Sequence, residues 1–357
     1  MNFSQLASDT TLATASPIAG VGIHIASLAA WMRATGLDTT GLHVRGLSGG
    51  QSNPTFLVQT AKQSFVLRKQ PSGELLPSAH AIDREYRVMQ ALAGTGVPVP
   101  RMVAWCDDAS LLGTRFFMME FIRGRNFINP TLPELSVAER KAIYADVNRI
   151  LVALHDVDYR AVGLETFGRQ GNYFARQIDR WSRQYRSSEG SRIEEMEALM
   201  AWLPAHIPDG DETCLVHGDL RMDNLIIHPT EPRVVALLDW ELSTLGHPLA
   251  DLSYFCMSWC VPPDLWRGVA GVDLTAMGIP QEHAFVEDYC RARGIGAIRH
   301  WDFYLAYNLF RMAAILQGVA ARAAAGNAAA ADAASMEAKV RPLAELAWRC
   351  ARRSKAQ

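Results

Sequence analysis

The chain has 357 residues, 49% of them hydrophobic and 20% charged, with a formal net charge of −2. That length leaves room for two lobes and a substantial core, and the composition is ordinary for a soluble globular protein. The near balance of charge gives no electrostatic reason to expect nucleic acid or a membrane surface as a partner.

Six cysteines, at 106, 214, 256, 260, 290 and 350, form no CxxC pair and no dense framework, which reads as reduced thiols in a cytoplasmic protein. No run approaches the roughly 18 apolar residues that span a bilayer. Residues 1–24 lack a basic start and a continuous apolar stretch, so they read as a flexible tail rather than a secretory signal. Ile25 to Ala34 then reads as a short helix with Leu28 and Trp31 on one side. His43–Leu47 and Thr55–Val58 read as strands flanking Ser48-Gly49-Gly50-Gln51-Ser52-Asn53-Pro54. A small polar loop between strands can lie over a polyanion, because glycine lets the backbone approach closely and Ser52 and Asn53 add donors. Judged alone, the loop is better explained as an ordinary hairpin turn. No G-x-x-x-x-G-K-[ST] occurs, so this is not a P-loop.

Ser64–Arg68 reads as a third strand, and Ala79–Ala93 has helical periodicity through Ile82, Tyr86, Met89 and Leu92. The strand ends like the V-A-I-K signature, with Arg68 in the lysine position and Glu85 as the helix carboxylate that would pair with it. Lys69 competes for that role. Alternation puts Phe65, Leu67 and Lys69 on one face and Val66 and Arg68 on the other, which favours Arg68. Gly94-Thr95-Gly96 follows a helix and precedes a strand, the reverse of a dinucleotide fingerprint, so it reads as a helix end and turn. Met102–Trp105 and Arg115–Ile122 complete five strands. From Leu135 onward the pattern is mostly helical: Arg140–His155, Phe174–Tyr185, Leu249–Trp259, Gln281–Ala292, His300–Ala321 and Met336–Arg353. The alanine-rich stretch from 320 to 334, broken at Gly326-Asn327, reads as either a turn between helices or a mobile loop.

The densest signal is LVHGDLRMDNLIIHPTEPRVVALLDWE, from Leu215 to Glu241. Asp219, Asn224 and Asp239 have the layout of a phosphoryl-transfer site, in which one carboxylate orients the attacking hydroxyl and an amide and a second carboxylate hold Mg²⁺. The spacing matches H-R-D-L-x-x-x-N followed by D-F-G. Leu225–Ile227 and Val234–Leu238 read as short strands joined by a Pro-containing turn. A hairpin brings its ends together, and those ends are Asn224 and Asp239, both hard oxygen donors.

Together with Gly49-Gly50-Gln51-Ser52-Asn53-Pro54-Thr55, Val66-Leu67-Arg68-Lys69, Val216-His217-Gly218-Asp219 and Leu238-Asp239-Trp240-Glu241-Leu242-Ser243-Thr244-Leu245-Gly246-His247-Pro248, the chain resembles the aminoglycoside phosphotransferase-like kinases. It looks closest to the branch that also occurs fused to acyl-CoA dehydrogenases. The resemblance implies an α+β, protein kinase-like two-lobe fold. Residues 25–122 would form a small nucleotide-binding lobe with an antiparallel sheet and one helix. Residues 123–357 would form a larger helical lobe with the catalytic loop and acceptor site. It implies ATP-dependent phosphotransfer onto the hydroxyl of a small molecule, with a 4-hydroxyacyl-CoA or a related hydroxy acid leading for this branch. Asp219 would be the base, and Asn224 and Asp239 the Mg²⁺ ligands. Gly49, Gly50, Gln51, Ser52 and Asn53 would cover the nucleotide. Arg68 with Glu85 would position phosphates, and backbone around Glu120 and Ile122 would meet the adenine. His217 and Asp251 would support the loop. Arg221 would either neutralise the transferring group or make a surface ion pair.

Asp239-Trp240-Glu241 lacks the glycine of D-F-G, and no activation loop or A-P-E fits before Asp251, which disfavours a protein substrate. From Ser258 onward twelve Lys and Arg face nine Asp and Glu, a balance that suits an anionic acceptor better than a polycation. Arg176, Arg180, Arg183 and Arg311 are candidates to bind it, although a solvated basic face also accounts for the first three. Tyr304, Tyr307, Phe310 and Met312 fit an acyl pocket or plain core packing equally well. The alternatives are an aminoglycoside or amino-alcohol kinase, and a catalytically silent nucleotide-binding module.

Overall fold

The computed structural model describes residues 23–47, 53–71, 81–188, 190, 192–324 and 333–354. The N-terminal tail, Gly49, Gly50, Gln51 and Ser52, and the break at Gly326-Asn327 lie outside the described residues. The first elements are α1 (Ile25–Ala34), β1 (His43–Gly46), β2 (Thr55–Gln59), β3 (Ser64–Lys69), α2 (Ile82–Leu92), β4 (Met102–Cys106), α3 (Ala109–Leu112) and β5 (Phe116–Glu120). The strands form one antiparallel sheet in the order β1-β2-β3-β5-β4. Both faces are covered. Leu28 and Met32 of α1 pack with Val44, Phe56, Val58, Phe65, Leu67, Phe116 and Met118, every second residue of their strands. Arg68 pairs across the sheet with Phe117, and Tyr86 of α2 lies 5.8 Å from the Phe117 ring, so α2 covers the other face. The five strands and first helix read from the sequence are therefore present, within two residues at most ends.

The later elements are α4 (Val137–His155), α5 (Tyr173–Ser187), α6 (Glu194–Ala205), β6 (Cys214–Val216), the hairpin β7 (Leu225–Ile227) and β8 (Val234–Leu237), β9 (Thr244–Gly246), α7 (Pro248–Cys256), α8 (Pro263–Trp266), α9 (Leu274–Met277), α10 (Glu282–Arg293), α11 (Trp301–Ala324) and α12 (Ala333–Ser354). A capping box of Ser136 and Glu139 starts α4, and Pro248 sits in the first turn of α7, where its missing N–H is not needed. β6 pairs antiparallel with β9, a two-stranded sheet that the sequence reading did not contain. The helix α6 was also not foreseen. No helix among the described residues is long and apolar enough to cross a membrane.

The chain divides into two compact units, each built from more than one stretch of sequence. The first comprises residues up to Ile128, Val162–Leu164 and Asp223–Ser243, and the second comprises Asn129–Ala161, Glu165–Met222 and Thr244 onward. The β7–β8 hairpin thus belongs with the first sheet rather than with the helical segment. The reason is local bonding within that unit. Arg125 forms a bridge with Ile227, Asn126 Nδ2 donates to the carbonyls of Asp223 (2.7 Å) and Leu225 (3.0 Å), and the Leu237 amide donates to Pro98 O at 2.8 Å. Gly124 lies against Ile226 and Ile227 so closely that no Cβ fits there.

Candidate active site

In the first unit the key feature is Arg68. Strand alternation points it away from the apolar face, and Lys69, on that face, donates instead to Leu112 O at 2.7 Å. Arg68 Nε lies 2.9 Å from Glu85 Oε2, Nη2 lies 3.0 Å from Asp239 Oδ1, and Glu241 Oε2 is 3.9 Å away. Burial works against the guanidinium's charge, but the three carboxylates outweigh it and hold Arg68 firmly protonated. Glu85 is 1% exposed. Burial pushes its carboxyl up to about 8 against the pull of Arg68, with Asp239 and Glu241 adding same-sign repulsion.

Asp239 stands two residues past the end of β8, with φ 67 and ψ 61, the left-handed region that a non-glycine residue adopts at a cost. Its neighbour Trp240 is fully buried and anchored by Nε1 to Leu237 O at 2.9 Å. Leu238 N donates to Asn224 O at 2.8 Å, which ties the two ends of the hairpin to one another. Asn224 is 7% exposed, whereas the Asp239 side chain is 35% exposed. Among the described residues no three or more His, Cys, Asp or Glu lie close enough together to hold a metal ion by themselves. An amide and a carboxylate at the ends of one hairpin are nonetheless a hard-oxygen set suited to Mg²⁺, which takes few protein ligands and completes its shell with phosphate oxygens and water.

Two other expected nucleotide contacts fall in this unit. Asn53 is fully buried, and neither amide atom finds a hydrogen-bond partner among the described residues. The Glu120 amide donates to Arg101 O at 2.9 Å within the sheet. That N–H is therefore committed, and Ile122 lies beyond the strand end.

In the second unit Gly218 has φ +81, a turn that glycine adopts freely, and it presents Asp219 after β6. Buried Asp251 receives the amides of His217 (2.5 Å) and Gly218 (2.8 Å). Burial opposes the ionisation of Asp251, yet hydrogen bonding and charge from His155, with the Gly218 amide, hold its carboxyl below the usual range. His155 Nε2 lies 3.6 Å from Asp251, and its Nδ1 is 2.7 Å from the Tyr289 hydroxyl. The Asp219 amide donates to His217 Nδ1 at 3.1 Å. Arg221 Nη2 lies 3.1 Å from Asp219 Oδ2, so the candidate base is itself an ion-pair partner of this arginine. The Tyr254 hydroxyl donates to Asp219 Oδ1 at 2.5 Å.

Tyr254 was missed by sequence reasoning. The signal available was its spacing: it stands three residues after Asp251, one helical turn along the same face of α7. The four arginines proposed for an anion separate clearly. Arg183 pairs with Asp179 at 2.6 Å on the exposed face, and Arg176 donates to Arg169 O at 2.8 Å. Arg180 lies 4.9 Å from the Trp181 ring centre, and Arg311 is buried and donates to Gly218 O. Tyr304, Tyr307, Phe310 and Met312 are buried in α11, with Phe174 in ring contact with the two tyrosines, which is core packing.

The phosphotransferase enzyme family matches residues 43–307. Mouse acyl-CoA dehydrogenase family member 10 is 48% identical over 301 residues, covering 84% of this chain but 28% of that protein. The chain thus spans under a third of that relative's length. A Ralstonia eutropha protein, whose crystal structure is described as that of a candidate aminoglycoside phosphotransferase, is 49% identical with a TM-score of 0.85 over 92% of this chain and 98% of that one. A thermostable mutant of the aminoglycoside phosphotransferase APH(4)-Ia, solved with ADP and hygromycin B, shares the fold at 13% identity and a TM-score of 0.58, covering 90% and 97% of the two chains. With its five-stranded sheet, its Asn224–Asp239 hairpin and its Asp219 loop, the chain belongs to the phosphotransferase enzyme family and has the protein kinase-like fold.

Proposed function

We propose that the chain is an ATP- and Mg²⁺-dependent kinase acting on the hydroxyl of a small anionic acceptor, a 4-hydroxyacyl-CoA or a related hydroxy acid. The observation that carries the reading is the Arg68 cluster, in which a cation fixed by Glu85 is tied to a carboxylate that also terminates the Asn224 hairpin. Arg68 is placed to meet phosphate oxygens through its fork of donors, as a charge-assisted contact. Asn224 and Asp239 are the residues that would hold Mg²⁺, which when bound supplies charge neutralisation to the phosphates. Asp219 accepts the proton as the acceptor oxygen bonds to the γ-phosphorus and the bond to ADP breaks. Arg221, beside Asp219, is available to offset charge on the transferring group.

The acceptor class rests on charge balance and on likeness to relatives. It draws on the excess of basic residues after Ser258 and on relatives whose names place them among acyl-CoA dehydrogenases. The dehydrogenase chemistry in that name is not carried over, since the match spans 28% of the longer protein. A coupled ADP-release assay over 4-hydroxyacyl-CoAs, free hydroxy acids and aminoglycosides tests the reading. Turnover that needs a hydroxyacyl acceptor and disappears in a folded Asp219→Asn variant is the expected result. Preference for hygromycin B or kanamycin would move the substrate to the aminoglycosides. Tight MgATP binding with no acceptor turned over would favour a silent module.

A further inference from the structure

Asp219 is gripped at both oxygens, and the two grips differ in kind. Arg221, whose side chain is 24% exposed, holds Oδ2 from the loop itself at 3.1 Å. Tyr254 holds Oδ1 at 2.5 Å from a rigid buried ring on α7. The same helix carries Asp251, which takes the two preceding loop amides, so one turn of α7 fixes both the backbone and the side chain of this loop. Behind Tyr254 stands Arg311, 4% exposed, with its guanidinium carbon 4.9 Å from the Tyr254 ring centre and 5.5 Å from that of Trp181. It donates to the carbonyl of Gly218, the residue before Asp219. A flat cation over two aromatic faces with a hydrogen bond to the loop backbone is a stiff arrangement.

We propose that Tyr254 is a positioning residue for phosphotransfer, its hydroxyl fixing the rotamer of the Asp219 carboxylate while Arg311 fixes Tyr254 and the Gly218 peptide in the same frame. The assignment rests on the reading of Asp219 as the base. Tyr254 keeps its own proton throughout. Burial, and then the adjacent Asp219 charge, push the phenol well above its ordinary range, so it acts as a donor and not as an acid. The proton taken from the acceptor stays on Asp219. A carboxylate freed from this donor would sample other rotamers and lose orientation toward the acceptor hydroxyl, which costs rate and not nucleotide affinity.

The test reads the carboxylate directly first, without turnover, and then the kinetics. In protein labelled with ¹³C at the aspartate carboxyl, the Asp219 signal is identified by its loss in Asp219→Asn and followed through a pH titration. The titratable and charged groups near it include Arg221, Tyr254 and Arg311, with His217 on its backbone amide and Asp251 on the two preceding amides. Only the tyrosine hydroxyl is removed in Tyr254→Phe. Loss of a hydrogen bond to the ionised form should raise the midpoint above the wild-type one measured under the same conditions. With any acceptor that the wild type turns over, kcat should fall about tenfold or more while KM for ATP stays within about twofold. An unchanged midpoint overturns the inference whatever the kinetics, and so does a shifted midpoint with unchanged kcat. If the midpoint shifts but the wild type turns over no acceptor, the held carboxylate stands and the phosphotransfer reading falls. Arg311→Lys, which keeps the charge but not the planar stack, should show both effects in smaller measure.

Discussion

Arg68 carries a positive charge where water barely reaches, and its planar fork meets Glu85 through Nε and Asp239 through Nη2. Removing the guanidinium leaves Glu85 buried without its cation and Asp239 without its partner, a loss that in buried pairs typically costs roughly 3–5 kcal/mol, while removing both partners costs far less. Arg68→Met should therefore destabilise the protein by about that amount in urea unfolding without Mg²⁺. The double variant Arg68→Met/Glu85→Gln should recover much of the loss. Additive single effects would show that the pair is not coupled. Arg68→Lys should keep a charge in place but lose the bridge, since one ammonium cannot take the place of two fork positions, and its KM for MgATP should rise. Strand alternation in the sequence was enough to choose Arg68 over Lys69, because facing is a local property of β3. The hold of Tyr254 on Asp219 was harder to read. It joins residues 35 positions apart whose approach depends on where α7 packs.

At the scale of an element, α7 begins with His247, whose Nδ1 accepts the Leu249 amide at 3.2 Å as an N-cap. Only a neutral imidazole has that lone pair. Burial, with His155 and Arg293 adding same-sign charge, pulls its pKa from 6.5 to about 4, even against Glu212 and Asp211. The unfolded chain therefore binds a proton between about pH 6.5 and 4 that the folded chain does not. Stability from this site is complete above 6.5 and is lost as pH falls toward 4, by up to about 3 kcal/mol. The substitution His247→Asn keeps a capping side chain without a titrating group. Stability of this variant, measured from pH 7.5 to 4.5, should fall less steeply than that of the wild type; parallel curves would refute the assignment. The elements themselves were legible where periodicity is local. The five strands, α1, α2 and the β7–β8 hairpin follow from alternation and turn residues. The β6–β9 pair was not legible, because three-residue strands separated by the whole hairpin carry too short a pattern and are fixed by their pairing with each other.

On the scale of the whole molecule, the first compact unit includes residues 223–243 together with the chain up to residue 128. The hairpin is bound to that unit by backbone and side-chain groups with few alternatives: Leu237 N to Pro98 O, Asn126 to two carbonyls, the Arg125–Ile227 bridge, Arg84 to Ser243 O, and Arg68 to Asp239. Without it those polar groups and the close face of Gly124 lose their cover, which is expensive for buried donors and acceptors. A fragment of residues 23–128 should accordingly lack a cooperative urea transition. Asn126 Nδ2 lies 2.7 Å from Asp223 O, so the break at 128 and the start of the hairpin at 223 are close, and a short Gly-Ser linker can join them at small entropic cost. The chimera of residues 23–128, linker and 223–243 should regain a single cooperative transition with native-like far-UV circular dichroism. A 23–128 fragment that unfolds cooperatively on its own would show that the hairpin is an appendage rather than part of the unit. Arg68 would then have to hold Glu85 in place without the Asp239 carboxylate on its other side.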